Sequence, residues 1–259
     1  MVEITVSGWG ILIAGAGIAG WVDAMIGGGG LVLIPLIMAV APGLAPVAAI
    51  ATNKLVAVSG TASAAVTMTR KVGVDRSLVL KLVPIAALCS GGGALLAASI
   101  SKDVMRPIVI VLMLVAGIFV ALKPEFGQDG STKPASARRR GLAVVATGAI
   151  ALYDGIFGPG TGMFLIMAFT ALLSQDFLRS AALTKVVNTA TNLGALIVFI
   201  ASGHVLWSLG IVLAVANIAG AQLGAKTVLG GGTKILRIAL LTLVIVMSIY
   251  LTVQQVWGV

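Results

Sequence analysis

Long apolar runs, separated by short polar or glycine-rich punctuation, occupy almost the whole chain. The runs at 77–98, 105–122, 205–225 and 238–256 each hold about 18 residues or more, enough to cross the hydrocarbon core of a bilayer. Two longer stretches, 10–42 and 141–173, are broken by glycine: Gly27, Gly28, Gly29 and Gly30 in the first, and Gly158, Pro159, Gly160 and Gly162 in the second. Backbone freed from a helix is tolerated at membrane depth only where it is buried in protein or lines a wet cavity. Each broken stretch therefore reads as a hairpin of two short helices that starts and ends on one side. The sequence leaves open whether the hairpins cross fully, giving ten spans, or are re-entrant, giving six spans and two hairpins. Three helices are expected after each hairpin, at 47–69, 77–98 and 105–122, then at 179–201, 205–226 and 236–256.

The two series are copies. Residues 17–117 align with 148–248 without a gap, so that Asp23 falls on Asp154 and Lys54 on Lys185. Gly17, Ala51, Ala64, Ser77, Leu78, Gly93, Ala94 and Arg106 fall on Gly148, Ala182, Ala195, Ser208, Leu209, Gly224, Ala225 and Arg237. In a membrane chain, duplicated and interrupted hydrophobic segments at corresponding places point to a transporter and to its binding site. The one polar linker, 123–140, divides the chain into a repeat at 1–122 and a second at 141–259.

Loop charge sets the expected orientation. The linker carries Lys123, Lys133, Arg138, Arg139 and Arg140, which places it in the cytoplasm. The loop at 70–76 holds Arg70, Lys71 and Arg76, whereas its counterpart at 201–207 holds no Lys or Arg. The next pair of loops reverses the bias more weakly, with Lys226, Lys234 and Arg237 against Lys102 and Arg106. Equivalent loops thus fall on opposite faces. The fold class expected is an all-α integral membrane protein with two inverted-topology repeats, each a Gly-broken hairpin plus three transmembrane helices, and with both termini outside.

Composition agrees. Hydrophobic residues make up 59% of the 259, charged residues only 10%, and mean hydropathy is +1.14, so no sizeable soluble domain is left over. The net charge of +9 reads as topogenic rather than as a nucleic-acid footprint, because the only basic run is the short Arg triplet. Cys89 is the single cysteine; neither an intrachain disulfide nor a metal cluster is expected. No basic leader and cleavage site is evident at the N-terminus. Trp9, Trp207 and Trp257 lie near expected span ends, and Lys81, Arg106 and Arg237 read as interface anchors. No cofactor motif is found, and no phosphate-binding Gly-x-x-x-x-Gly-Lys-Ser/Thr loop, which argues against an intrinsic ATPase. Small-residue helices such as 86–99 suit packing within a protomer or in a homodimer.

Candidate chemistry centres on the breaks. Half-helix N-termini present N–H groups and a positive dipole end, which bind anions without a full charge; Gly28, Gly29, Gly160 and Thr161 are the candidates here. Lys54 and Lys185 lie roughly 10 Å inside their spans at helical rise, where a charge is costly and marks a functional site. Lys185, Asn188 and Asn192 share one helix face, and Thr52 and Asn53 adjoin Lys54. Asp23 and Asp154 precede the breaks and can cap the following half-helix, pair with the lysines or carry protons. His204 falls in an outer loop and is given no role.

At these motifs the chain resembles the sulfite exporter TauE/SafE family. The residues concerned are Gly20-Trp-Val-Asp23-Ala-Met-Ile-Gly-Gly-Gly-Gly-Leu with Pro35, then Ala51-Thr-Asn-Lys-Leu, then Tyr153-Asp-Gly-Ile-Phe-Gly-Pro-Gly-Thr-Gly-Met and Lys185-Val-Val-Asn188 with Asn192. Met163 departs from the family pattern, standing where a small polar residue is expected. The resemblance implies movement of small organosulfur anions such as sulfite or sulfoacetate across a bacterial cytoplasmic membrane. The lysines, amides and half-helix termini fit a small oxyanion, since a sulfonate offers three acceptor oxygens to several fixed donors. The expected partners are that anion, the lipid bilayer and, for coupling, protons. The rival reading is a cation carrier in which Asp23 and Asp154 bind a proton or Na⁺ and the lysines balance charge.

Overall fold

A computed structural model of the chain describes residues 4–101, 104, 105, 107, 111 and 135–230. All of the helix expected at 236–256, most of that at 105–122 and most of the linker lie outside the described residues, as do Arg106, Lys234, Arg237 and Trp257. The described part is helical, with no strand: α1 (Val6–Ile26), α2 (Gly29–Val40), α3 (Pro46–Lys71), α4 (Arg76–Ser99), α5 (Ala137–Ile156), α6 (Thr161–Leu173), α7 (Phe177–Ala201) and α8 (Trp207–Leu229). The duplication carries into the elements: α5, α7 and α8 begin 131 residues after α1, α3 and α4.

The hairpin arms are unequal, which corrects the expectation of two short helices. α1 has 21 residues and α5 has 20, about 30 Å of helix, while α2 and α6 have 12 and 13, about 18–20 Å. The long arms gain length because the helix is capped outside the apolar run. The Thr5 hydroxyl accepts the Gly8 N–H at 3.1 Å. The Ser136 hydroxyl accepts the Arg139 N–H at 3.4 Å, so the Arg triplet forms the first turn of α5 rather than ending a linker. The short arms fall well below the ~30 Å of the hydrocarbon core.

Among the described residues, four helices, α1, α4, α7 and α8, are long and apolar enough to cross a membrane. Their outer faces carry Ile11, Ile18, Leu80, Leu88, Leu95, Ile197, Ile211, Val215 and Leu223, all exposed. So much outward apolar surface has no place in water and fits contact with lipid. α3 is more polar, and Asn53, Lys54 and Thr61 on it are buried inside the protein.

The helices exchange partners between repeats. α1 packs on α8 and α3 on α8, while α5 packs on α4 and α7 on α4; α3 and α7 meet at the centre. One apolar core lies within α4, α5, α6 and α7, with Leu82, Phe169 and Val187 fully buried. The other is centred on α1, α2, α3 and α8. Small residues make the close seams. A Cβ on Gly220 would strike the Gly17 carbonyl and one on Gly224 the Trp21 carbonyl, so α1 and α8 run in the same direction. Gly148 lies against Ile85 and Cys89, and Gly155 against Ser90 and Ala94, so α5 and α4 also run together. Thr52 with Leu206 and Thr67 with Gln222 show the same for α3 and α8. Gly194 against Ala87, and Gly91 against Val198, show it for α7 and α4.

Charge is one-sided. Arg70, Lys71, Arg76, Arg138, Arg139, Arg140, Arg179 and Lys226 all lie toward the end where α3 and α8 finish and α4, α5 and α7 start. Among the described residues, the opposite end (4–5, 41–45, 99–101 and 202–206) carries no Lys, Arg, Asp or Glu.

Replacing a seam glycine tests the packing. Gly220→Leu is expected to cost about 1–3 kcal/mol through overpacking, read as a lower Tm of the detergent-purified protein. Gly92→Ala, on a face with nothing within 4 Å, is expected to lose no stability.

Candidate functional site

The two breaks touch. α1 ends at Ile26, and Gly27 adopts φ 81°, a left-handed conformation that glycine enters without a Cβ penalty, while its N–H donates to the Asp23 carbonyl at 2.8 Å. In the second repeat, Gly158 (φ 97°) and Gly160 (φ 84°) flank Pro159. A Cβ on Gly27 would overlap the backbone of Gly162, and one on Gly162 the backbone of Gly27, so the breaks lie backbone against backbone. Freed carbonyls are taken up locally. The Tyr153 hydroxyl donates to the Pro159 carbonyl at 2.7 Å, and the Thr161 hydroxyl donates to the Gly158 carbonyl at 2.7 Å.

Each lysine crosses to the other repeat's broken helix. Lys54, 1% exposed, donates to Asp154 Oδ2 at 2.7 Å, and Asp154 is 2% exposed. The Ser90 hydroxyl donates to the same oxygen at 3.4 Å. Lys185, fully buried, donates to the main-chain carbonyl of Asp23 and lies 3.5 Å from its Oδ2. That carbonyl belongs to the last turn of α1, so Lys185 meets the negative end of a helix as well as a carboxylate. Lys54 meets the carboxylate alone, with its Nζ packed against the break, 2.8 Å from where a Cβ on Gly158 would stand. Asp23 is 16% exposed, and its Oδ1 accepts the Gly29 N–H at 3.2 Å, which caps α2. Of the roles open to the carboxylates, Asp23 both caps and pairs, whereas Asp154 pairs.

A cavity of ≈ 20 Å³ lies at this junction, room for about one water. Its wall holds Asp23, Lys54 and Asp154, the amides of Asn53, Asn188 and Asn192, Thr161, Ala57, and Gly27, Gly30, Gly158 and Gly162. Gly30 and Gly162 are each the second residue of a short helix, where the helical ladder supplies no acceptor for the N–H. The wall therefore combines one ammonium, three amides and two half-helix N-termini with two carboxylates that neutralise the lysines.

Seven of the residues expected at the site do line this cavity: Asp23, Asn53, Lys54, Asp154, Thr161, Asn188 and Asn192. Lys185 lies behind the wall, held by Asp23. Thr52 points elsewhere; its hydroxyl accepts the Leu206 N–H at 3.1 Å, next to the start of α8. Gly28, Gly29 and Gly160 shape the turns without lining the cavity, and the N–H of Gly29 is already held by Asp23. Ser90 escapes a reading of the sequence, since a serine in an apolar helix normally bonds its own backbone, and its partner Asp154 is 64 residues away.

The family model for "Sulfite exporter TauE/SafE" matches residues 12–251. The chain is 36% identical over 241 residues to "Probable membrane transporter protein YfcA" of Escherichia coli K12, covering 92% of this chain and 87% of that one. It is 33% identical over 243 residues to "Probable membrane transporter protein ORF9" of Sinorhizobium sp, covering 94% and 90%. A "Probable membrane transporter protein" of Haemophilus influenzae is 33% identical over 240 residues, covering 93% and 91%. No solved structure matches the chain.

The buried pair is testable by stability. Lys54→Met strands Asp154 and is expected to cost about 3–5 kcal/mol, whereas Lys54→Met with Asp154→Leu recovers most of the loss. Lys185→Met is expected to cost less, because Asp23 is partly exposed and bonded to Gly29. Thermal unfolding in detergent checks both.

Proposed function

The chain belongs to the sulfite exporter TauE/SafE family, a family of membrane transporters, and we propose that it is a secondary transporter moving a small organosulfur anion across the bacterial cytoplasmic membrane by alternating access. The observation that carries this reading is the meeting of two helix breaks around a polar cavity whose donors come from both repeats. Lys54 supplies charge, Asn53, Asn188 and Asn192 supply amides, and the first turns of α2 and α6 supply backbone N–H groups. A cavity of ≈ 20 Å³ is too small for a sulfonate, so cargo enters as the two helix bundles part. Lys185 acts from behind, holding Asp23 and the end of α1 in place.

Inverted topology is part of the proposal. What supports it is the direction of packing. α3 runs with α8, and α4 runs with α7; the short turn at 72–75 reverses the chain between α3 and α4. α3 and its counterpart α7 then point opposite ways, as do α1 and α5. The short α2 and α6, beginning where the breaks meet, favour re-entrant hairpins over fully crossing ones. The basic end faces the cytoplasm by the positive-inside rule, and the start of α1, at the opposite end, lies outside.

A cation carrier is the second reading. It draws support from the full neutralisation of Lys54 by Asp154, which leaves no net charge for an anion in this state. Competition discriminates: inhibition of transport by unrelated small oxyanions favours the anion site, and inhibition by Na⁺ alone favours the cation site.

Two experiments test the proposal. Proteoliposomes holding the wild type are expected to take up labelled sulfite or sulfoacetate saturably, and Asn53→Ala with Asn188→Ala is expected to lower kcat/KM at least about tenfold through lost bonds to a charged ligand. A wild type that moves neither anion contradicts the organosulfur assignment. Topology is read with single cysteines on a Cys89→Ser background. An impermeant maleimide added to cells is expected to label Ser202→Cys and to leave Gly73→Cys unlabelled; labelling of both from outside contradicts inversion.

A further inference from the structure

We propose, resting on the anion-transport reading above, that Asp154 is the proton-coupling residue: its carboxylate occupies on Lys54 the place that the cargo's anionic oxygen takes once Asp154 carries a proton.

Four observations lead here. First, the only side-chain acceptor for the Lys54 ammonium among the described residues is Asp154, at 2.7 Å, and both groups line the cavity. Cargo that needs Lys54 must displace that carboxylate. Second, charge must balance. Lys54, Lys185, Asp23 and Asp154 sum to zero. A cargo anion added to them leaves a buried excess of negative charge, which is costly at this depth. One proton on Asp154 removes one unit of that excess, all of it for a monovalent cargo and half of it for a dianion such as sulfoacetate.

Third, the two carboxylates differ in what they hold. Among the described residues, the Asp154 carboxylate accepts only from side chains, Lys54 and Ser90, and both can turn away without disturbing a helix end. The Asp23 carboxylate caps α2 through the Gly29 N–H, and Lys185 is anchored on the Asp23 main-chain carbonyl, which does not titrate. Protonating Asp23 would weaken a cap and free little of Lys185. Fourth, the Lys54–Asp154 bond ties α3, in one helix bundle, to α5, in the other. Its release loosens the bundles at the moment cargo binds.

The groups that face Asp154 are Lys54 from α3, Ser90 from α4, Thr161 from α6, Asn188 and Asn192 from α7, and Asp23 from α1, with Lys185 of α7 behind Asp23. The phenol of Tyr153, next to it on α5, is also close enough to feel its charge; of all these, Lys54, Lys185, Asp23 and Tyr153 are the titratable groups. In the proposed cycle a proton from the aqueous phase open to the cavity bonds to an Asp154 carboxylate oxygen. Lys54 transfers its hydrogen bond to the cargo. On the far side the cargo leaves, the O–H bond breaks, the proton passes to water, and the Lys54–Asp154 bond re-forms. One proton travels with each anion.

The test uses the whole protein in proteoliposomes loaded with a fluorescent pH indicator and given labelled sulfoacetate, whose charge is fixed between about pH 6 and pH 8. Wild type is expected to acidify the interior by one proton per sulfoacetate. Asp154→Asn is expected to bring proton movement per sulfoacetate taken up to background and to flatten the pH dependence of the uptake that remains, whatever its rate. Asp154→Glu is expected to restore the proton and shift the pH profile; it also decides the matter if Asp154→Asn is not recovered as monodisperse protein, since an unshifted profile then overturns the proposal. Asp23→Asn is expected to keep one proton per anion, whatever its rate. Proton movement that survives Asp154→Asn, or that is lost in Asp23→Asn alone, overturns the proposal. Wild-type uptake without proton movement overturns it and leaves the anion reading standing. Absence of both sulfoacetate and sulfite uptake removes both.

Discussion

Two lysines buried in a membrane protein need partners, and the fold is arranged around supplying them. Lys54 and Lys185 are among the largest fully buried side chains. Each is neutralised by a carboxylate of the opposite repeat, and Lys185 also by the carbonyl end of that repeat's broken helix. Among the described residues, neither lysine forms an ion pair within its own repeat. The ion pairs therefore tie association of the halves to the burial of charge, and they sit where the helix breaks already require protein rather than lipid around exposed backbone.

Glycine makes that junction reachable. At Gly27 and Gly162 the two breaks approach until neither position has room for a Cβ. Along α1 and α8, and along α4 and α5, glycines bring backbone to backbone, the usual way for helices to associate where lipid offers no hydrophobic contrast. The result is two bundles, each borrowing a helix from the other repeat, that meet through α3 of one and α7 of the other. Lys54 and Lys185 project from those two central helices to the broken helices across the junction. Motion of one bundle against the other would stretch both ion pairs at once.

Much of this was legible in the sequence. The ungapped duplication placed the helix starts, and the glycine runs marked the breaks. Burial cost alone singled out Lys54, Lys185, Asp23 and Asp154, and the family resemblance agreed with the match over residues 12–251. What stayed hidden depends on geometry between distant segments. Nothing local says that Lys54 takes Asp154 rather than Asp23, because both aspartates lie the same distance before a break. Thr52 looked like a site residue beside Lys54, yet successive helical residues face different ways, and it serves the start of α8. The unequal hairpin arms were missed because the apolar pattern marks where a helix is buried, whereas Thr5 and Ser136, at the edge of that pattern, decide where it starts. The likeness of the repeats also concealed a difference: Asp23 caps a half-helix, and Asp154 does not.

The most direct measurement is a structure of the protein with sulfoacetate bound. An anionic oxygen of the ligand within hydrogen-bond distance of Lys54, with Asp154 turned off the ammonium and Asn53, Asn188 or Asn192 on the remaining oxygens, is the result expected. Ligand bound elsewhere, with the Lys54–Asp154 pair intact beside an unfilled junction, would contradict the assignment of this junction as the cargo site.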